Sequence, residues 1–306
     1  MSKSIKKNKK LTRTGRAVLL GLAAVLALMA LLVVYAALNA NALHVRRARV
    51  TLPDLPSAFE GRTLLYASDI DLCGLNTPEK SSELFAELQS LKPDILVLGG
   101  DYTSVSLFDA LNTKDPEDGA QKQLAARSRF FEAISGFDAP LGRFVVASPV
   151  DLDIDGLEAL VQSIGFIPLF NRRESLAING ETLWLCGIVS EDADINGGAK
   201  SFQRGDCVIA LCADPAPLPR MLTSEARDSG NWFDLALCGG THGGQINLFG
   251  RSALRLSREA RQYLSGWRVE NSVPILTTSG VGCEGANLRL GTSPEVWFIT
   301  LTGIAE

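Results

Sequence analysis

The stretch ALCGGTHGGQINLFG, residues 236–250, packs four glycines and one of the chain's only two histidines into seven residues, directly after an apolar run. Two chemistries fit that spacing. One is a bare glycine-rich turn leaving a buried strand, because glycine takes positive φ without strain. The other is a metal or phosphate site in which His242 is a ligand and the glycines let a substrate approach the backbone. Acid, cysteine or glycine also follows four other apolar runs: YASDIDLCG (66–74), LVLGGDYTS (96–104), VVASPVDLD (145–153) and IALCADPAP (209–217). Ligands in open α/β sheets bind at such carboxyl ends.

Two further stretches carry metal-like spacing. DLDIDGLEALVQ (151–162) and DADINGGAKSFQ (192–203) both begin D-x-D-x-[DN]-G, as a calcium loop does. Each has Gln where that loop needs a bidentate Glu at its twelfth position, so a solvated turn is the expectation for both.

Strands must position these residues. Apolar runs predict them at 62–68, 94–100, 143–148, 181–189, 207–213, 233–240, 273–280 and 295–303. Between them PEKSSELFAELQSL (78–91) and AQKQLAARSRFFEAIS (120–135) show the i, i+3, i+4 apolar spacing of helices lying on a sheet. This alternation is layered α/β architecture.

The N-terminus has a different composition. Residues 1–16 hold seven Lys/Arg and no acid, and residues 17–38 are uncharged for 22 positions, enough to cross about 30 Å of hydrocarbon. That run exceeds a signal peptide's apolar region, so the expectation is an uncleaved transmembrane helix over 17–38, a linker over 39–49 and one domain over 50–306. Only Arg46, Arg47 and Arg49 follow the span closely. The charge bias therefore predicts a single-pass protein of the cell membrane, its N-terminal tail cytoplasmic and its domain extracytoplasmic. The ten cations of residues 1–49, set against a chain total of −4, leave residues 50–306 at −14. Nucleic acid is excluded as a partner, since phosphate binding needs a basic face. Of six cysteines, Cys186, Cys207, Cys212 and Cys238 lie in apolar runs, which predicts mostly buried, unpaired thiols.

The order and spacing of the strand-end blocks resemble the calcineurin-like metallophosphoesterases, in particular a membrane-anchored branch similar to UDP-2,3-diacylglucosamine pyrophosphatases. That family's blocks read D-x-H, G-D, G-N-H-D/E, S-H and G-H-x-H-G-G-Q, and LTTSGVGCEGANLRLGTSPEVWFITLT (276–302) resembles its closing segment. The resemblance covers about residues 48–303 and implies a four-layer αββα sandwich. It places Asp69, Asp101 and His242 on three of the family's site positions. Asp71 stands where the first His belongs, Pro149 at the Asn, Val150 at the general-acid His, Ala213 at the S-H histidine and Gly240 at the first His of G-H-x-H. Two-metal hydrolysis needs ions about 3.5–4 Å apart, and only the bridging Asp101 remains for the second. Asp151 fills the last acidic position of the third block.

What remains is Asp69, Asp71, Asp101 and His242, a hard ligand set that suits one Mn²⁺, Mg²⁺ or Ca²⁺ better than Zn²⁺. The competing reading is an empty acidic cleft, in which converging carboxylates raise one another's pKa. Three functions follow: a non-catalytic membrane-tethered relative that binds a phosphorylated lipid or cell-envelope ligand, a residual one-metal phosphoesterase acting on lipid-linked or nucleotide diphosphates, or a structural interaction subunit.

Overall fold

Period-two alternation sorts strand residues onto two faces. In β2 (Thr63–Ala67), Leu64 and Tyr66 join one apolar cluster while Leu65 and Ala67 join another. The computed structural model describes residues 12–112, 116–248, 251–252 and 254–304. Its first sheet runs β1 (His44–Thr51), β14 (Glu295–Thr302), β2, β3 (Ile95–Leu98), β4 (Gly142–Val145) and β5 (Ile167–Pro168). The second runs β12 (Gly266–Glu270), β13 (Val273–Thr277), β9 (Leu235–Cys238), β8 (Cys207–Cys212), β7 (Glu181–Ile188) and β6 (Arg173–Ile178). A short hairpin pairs β10 (Asn247–Leu248) with β11 (Arg251–Ser252).

Strands β2, β3, β8 and β9 are apolar throughout because both of their faces are covered. One cluster joins the two sheets through Leu64, Tyr66, Val97, Ile209, Leu211 and Leu237. A second seats helices Pro78–Leu88 and Pro116–Ala133 on the first sheet through Phe85, Phe130 and Phe131. The third packs Ile195, Leu218, Met221 and Tyr263 on the second sheet.

All eight expected strands are present, each shorter than or equal to its apolar run. The expected linker at 39–49 is a correction. From His44 onward it is β1, paired in parallel with β14 along all eight of its residues. Its arginines read as a charged connector, but β1 is an edge strand, where outward-facing cations are tolerated while Val50 packs inward.

The helix Arg13–Asn39 is long and apolar enough to cross a membrane, and its apolar window is entirely unburied. Residues 1–11 of the expected basic tail lie outside the described residues. The helix end is fixed to the domain: Asn39 Nδ2 donates to the carbonyls of Arg289 (3.1 Å) and Thr292 (2.7 Å), and Arg289 N donates to Ala36 O (3.0 Å). All six cysteines are free, five of them buried, as their apolar settings predict.

Candidate metal centre

The loops after β2 and β3 continue the strand pairing past the sheet edge. Asp69 N donates to Gly100 O at 3.0 Å and Asp71 N to Asp101 O at 2.9 Å, which sets the three aspartates side by side. Asp69, Asp71, Asp101 and His242 all adopt left-handed backbone, with φ of 52°, 49°, 55° and 51°. Such conformations cost non-glycine residues free energy and gather at functional sites.

Asp151 holds this loop cluster in place. Its buried carboxylate accepts from the backbone N–H groups of Asp101 (2.8 Å), Tyr102 (2.9 Å) and Ser148 (2.9 Å), and from Ser148 Oγ (3.1 Å). The expectation of a solvated turn here is overturned, because three donors left by adjoining loops need one acceptor. In the other D-x-D stretch, Asp194 caps the short helix Ile195–Ala199 through Gly197 N.

Glycine lets the remaining backbone close on Asp69. Its Oδ1 accepts from Gly240 N at 2.7 Å and Ser68 Oγ at 2.8 Å. A Cβ on Gly280, at φ +72°, would stand 2.4 Å from Asp69 Oδ2. Asp69 Oδ2, Asp71 Oδ2 and His242 Nδ1 are buried without a hydrogen-bond partner. His242 Nδ1 lies 3.2 Å from Asp71 Oδ2, close enough for an ion pair but short of hydrogen-bond geometry.

Asp69, Asp101 and His242 each bring one ligand atom to within 4.8 Å of the other two. Oxygens on opposite sides of a hard divalent cation at about 2.3–2.4 Å are separated by up to that distance, so the three fit one ion. Asp71 lies outside this set and faces the imidazole instead. Burial would lower the His242 pKa, but Asp71, Asp69 and Asp101 around it hold it up at about 10. Burial, then Asp69, Asp151 and Asp71, push Asp101 well above the usual carboxylate range. Burial and Asp71 likewise raise Asp69, against the pull of His242.

The second-ion positions offer no comparable set. Pro149 opens the helix Pro149–Asp153. Val150 points to solvent and lines a 690 Å³ cleft with Leu72, Cys73 and Val105. Ala213 is buried, and Gly240 sits at φ +78° where a Cβ would meet Ala213 O at 2.6 Å.

Two contributors went unread in the sequence. Asp214 is close enough for its charge to act on Asp69 and His242, and its own pKa is raised, chiefly by burial. Its signal is the acid two residues past the end of β8. Fully buried Arg289 donates to the carbonyls of His242 (3.1 Å), Ser279 (2.7 Å) and Gly282 (2.6 Å), tying the histidine turn to the loop packed on Asp69. An arginine in a polar, glycine-bearing stretch carries no such signal by itself.

No family profile matches the chain. It is 29% identical over 221 residues to phosphodiesterase YaeI of Escherichia coli K12, covering 69% of this chain and 71% of that protein. It is 25% identical over 274 residues to an uncharacterized metallophosphoesterase of Aquifex aeolicus, covering 88% of this chain and 95% of that one. Among solved structures, a phosphopantetheinyl hydrolase of Mycobacterium tuberculosis aligns at TM-score 0.34 and 9% identity, over 73% of this chain and 91% of that one. The names of these two relatives, a phosphodiesterase and a metallophosphoesterase, fit the resemblance to the calcineurin-like metallophosphoesterase superfamily.

Proposed function

We propose that this chain is a membrane-anchored, extracytoplasmic superfamily member that holds one divalent cation and binds a phosphate-bearing lipid or envelope ligand without two-metal hydrolysis. The observation that carries the reading is the contrast between the two halves of the site. Asp69, Asp101 and His242 converge, with Asp69 Oδ2 and His242 Nδ1 buried and unpaired, whereas Pro149, Val150, Ala213 and Gly240 offer no side-chain ligand atom for a second ion. The group chemistry fits one hard cation and does not fit the two-ion clamp on attacking and leaving oxygens. Bound there, Mn²⁺, Mg²⁺ or Ca²⁺ would supply a positive charge for a phosphoryl oxygen. Asp69 and Asp101 would hold it, and His242 would complete the set, its backbone fixed by Arg289. The three apolar clusters support a four-layer αββα stacking, and the seven cations among residues 1–16 support a cytoplasmic tail.

A second reading, a one-metal phosphoesterase, is favoured by the likeness to a protein named a phosphodiesterase. One experiment separates the two: metal analysis of the full-length protein in detergent, with thermal unfolding and bis-p-nitrophenyl phosphate hydrolysis followed as Mn²⁺ is added. Binding of one Mn²⁺ without turnover is the expected result. Turnover lost in Asp101→Asn would establish the enzyme instead, and no metal uptake would remove both.

A further inference from the structure

The helix Leu107–Asn112 presents Leu107, Phe108 and Leu111 to solvent, Phe108 at 75% and Leu111 at 85% exposure, with Leu75 and Val105 exposed beside it. Residues 107, 108 and 111 share one helix side by their i, i+3 and i, i+4 spacing. Soluble surfaces rarely gather apolar side chains this way, and such patches mark a contact.

Its position says with what. Leu107 N donates to Gly285 O at 3.0 Å, and four residues further along the same loop Arg289 N donates to Ala36 O of the apolar N-terminal helix. Asn287 Nδ2 reaches Asn41 Oδ1, just past that helix, at 3.4 Å. One short loop thus links the exposed apolar helix to the end of the span. Exposed Lys80, whose Nζ donates to Asn41 Oδ1 at 2.5 Å, and exposed Arg47 in the first half of β1 put cations at the same end, suited to anionic headgroups.

We infer that the helix Leu107–Asn112 is a second membrane contact: Leu107, Phe108 and Leu111 insert into the lipid interface beside the span, as interfacial amphipathic segments do. This rests on the Arg13–Asn39 helix crossing the bilayer. The contact brings the 690 Å³ cleft behind Val105 and Ala110 to the headgroup level. It also restricts rotation of the domain about its anchor.

The test uses full-length protein in vesicles of phosphatidylcholine and phosphatidylglycerol brominated near the glycerol end of the acyl chains. Leu111→Trp and Phe108→Trp are compared with Ile304→Trp, whose emission is read over that of the parent. Ile304 is also exposed, but it follows Thr302, which pairs with Thr51 at the far end of β1, about 25 Å from the strand's start. Insertion predicts that bromine quenches roughly half or more of the added emission at 111 and 108 and little of that at 304. If the protein floats with the vesicles while 111 and 108 are quenched no more than 304, the contact is refuted, the anchor stands, and the patch belongs to a protein partner. If the protein fails to float, the anchor itself is refuted and the contact with it.

Discussion

His242 Nδ1 and Asp71 Oδ2 face each other at 3.2 Å, both buried and neither in a hydrogen bond. Asp71 stands where the resemblance places a histidine ligand, yet it lies outside the trio that fits one ion. A carboxylate behind a ligating imidazole orients the ring and raises its basicity, and losing such a partner costs about 10–100-fold in metal affinity. Asp71→Asn is therefore expected to weaken Mn²⁺ binding by that range while the protein stays folded, as read by calorimetric titration. Complete loss of binding would make Asp71 a direct ligand.

Asp101 is the more central test. A cation that binds only the folded state adds about 2.7 kcal/mol at a hundredfold excess over its Kd. Asp101→Asn should erase that gain. Without metal the variant should be as stable as the parent or more so, since the Asp101 carboxyl is held well above its usual range by desolvation and by Asp69, Asp151 and Asp71. Thermal unfolding of both proteins with and without Mn²⁺ reads the two effects together, and a shift that survives in Asp101→Asn would exclude the trio as the site.

Restoring the family's histidine at position 240 should fail. Gly240 sits at φ +78°, and any Cβ there meets Ala213 O at 2.6 Å, while its N–H is already given to Asp69 Oδ1. Left-handed strain alone costs about 1–2 kcal/mol, and the clash adds to it. Gly240→His and Gly240→Ala should both lower the denaturation midpoint, with no second metal equivalent gained by the histidine variant. An unchanged midpoint would show that this turn relaxes freely.

Sequence patterning locates the eight central strands because each carries an apolar run, which in β2, β3, β8 and β9 extends to both faces and does not depend on the neighbours. Edge strands β1, β6 and β12 are hard to read because exposed positions interrupt their apolar residues: RVE in β12 and HVRRARV in β1 look like polar connectors until a partner strand is known. The site divides in the same way. Asp69, Asp101 and His242 were legible from residue type and block order, and their convergence is what the structure adds. Asp214 and Arg289 are not legible, since Asp214 acts on Asp69 and His242 and Arg289 reaches His242 across loops that only the fold brings together.

Asp151 makes the loop order costly to lose. Asp151→Ala leaves the N–H groups of Asp101, Tyr102 and Ser148 without their acceptor, and each buried orphan costs about 1–3 kcal/mol. The variant should lose roughly 3 kcal/mol or more in equilibrium unfolding. Asp151→Asn, which keeps one oxygen acceptor, should lose less. Equal losses in the two variants would assign the effect to charge rather than to these hydrogen bonds.

Stability should also depend on pH through Asp234, away from the metal residues. Burial, followed by the nearby Asp54 and Asp206 charges, lifts its pKa to about 7 even though Val208 N donates to its Oδ2 at 2.8 Å and pulls the other way. In the unfolded chain this carboxyl ionises near its ordinary value, about 3.9. Between those two values the folded state holds a proton that the unfolded state has released. Stability is therefore highest below about pH 4, falls as pH rises toward 7, and is flat above it. Asp234→Asn keeps an oxygen to accept from Val208 N and removes the ionisation. Urea unfolding of the parent and the variant at pH 5 and pH 8 should show the variant gaining stability relative to the parent at the higher pH. A difference between the two proteins that stays constant across that range would mean Asp234 ionises in the fold as it does in the open chain.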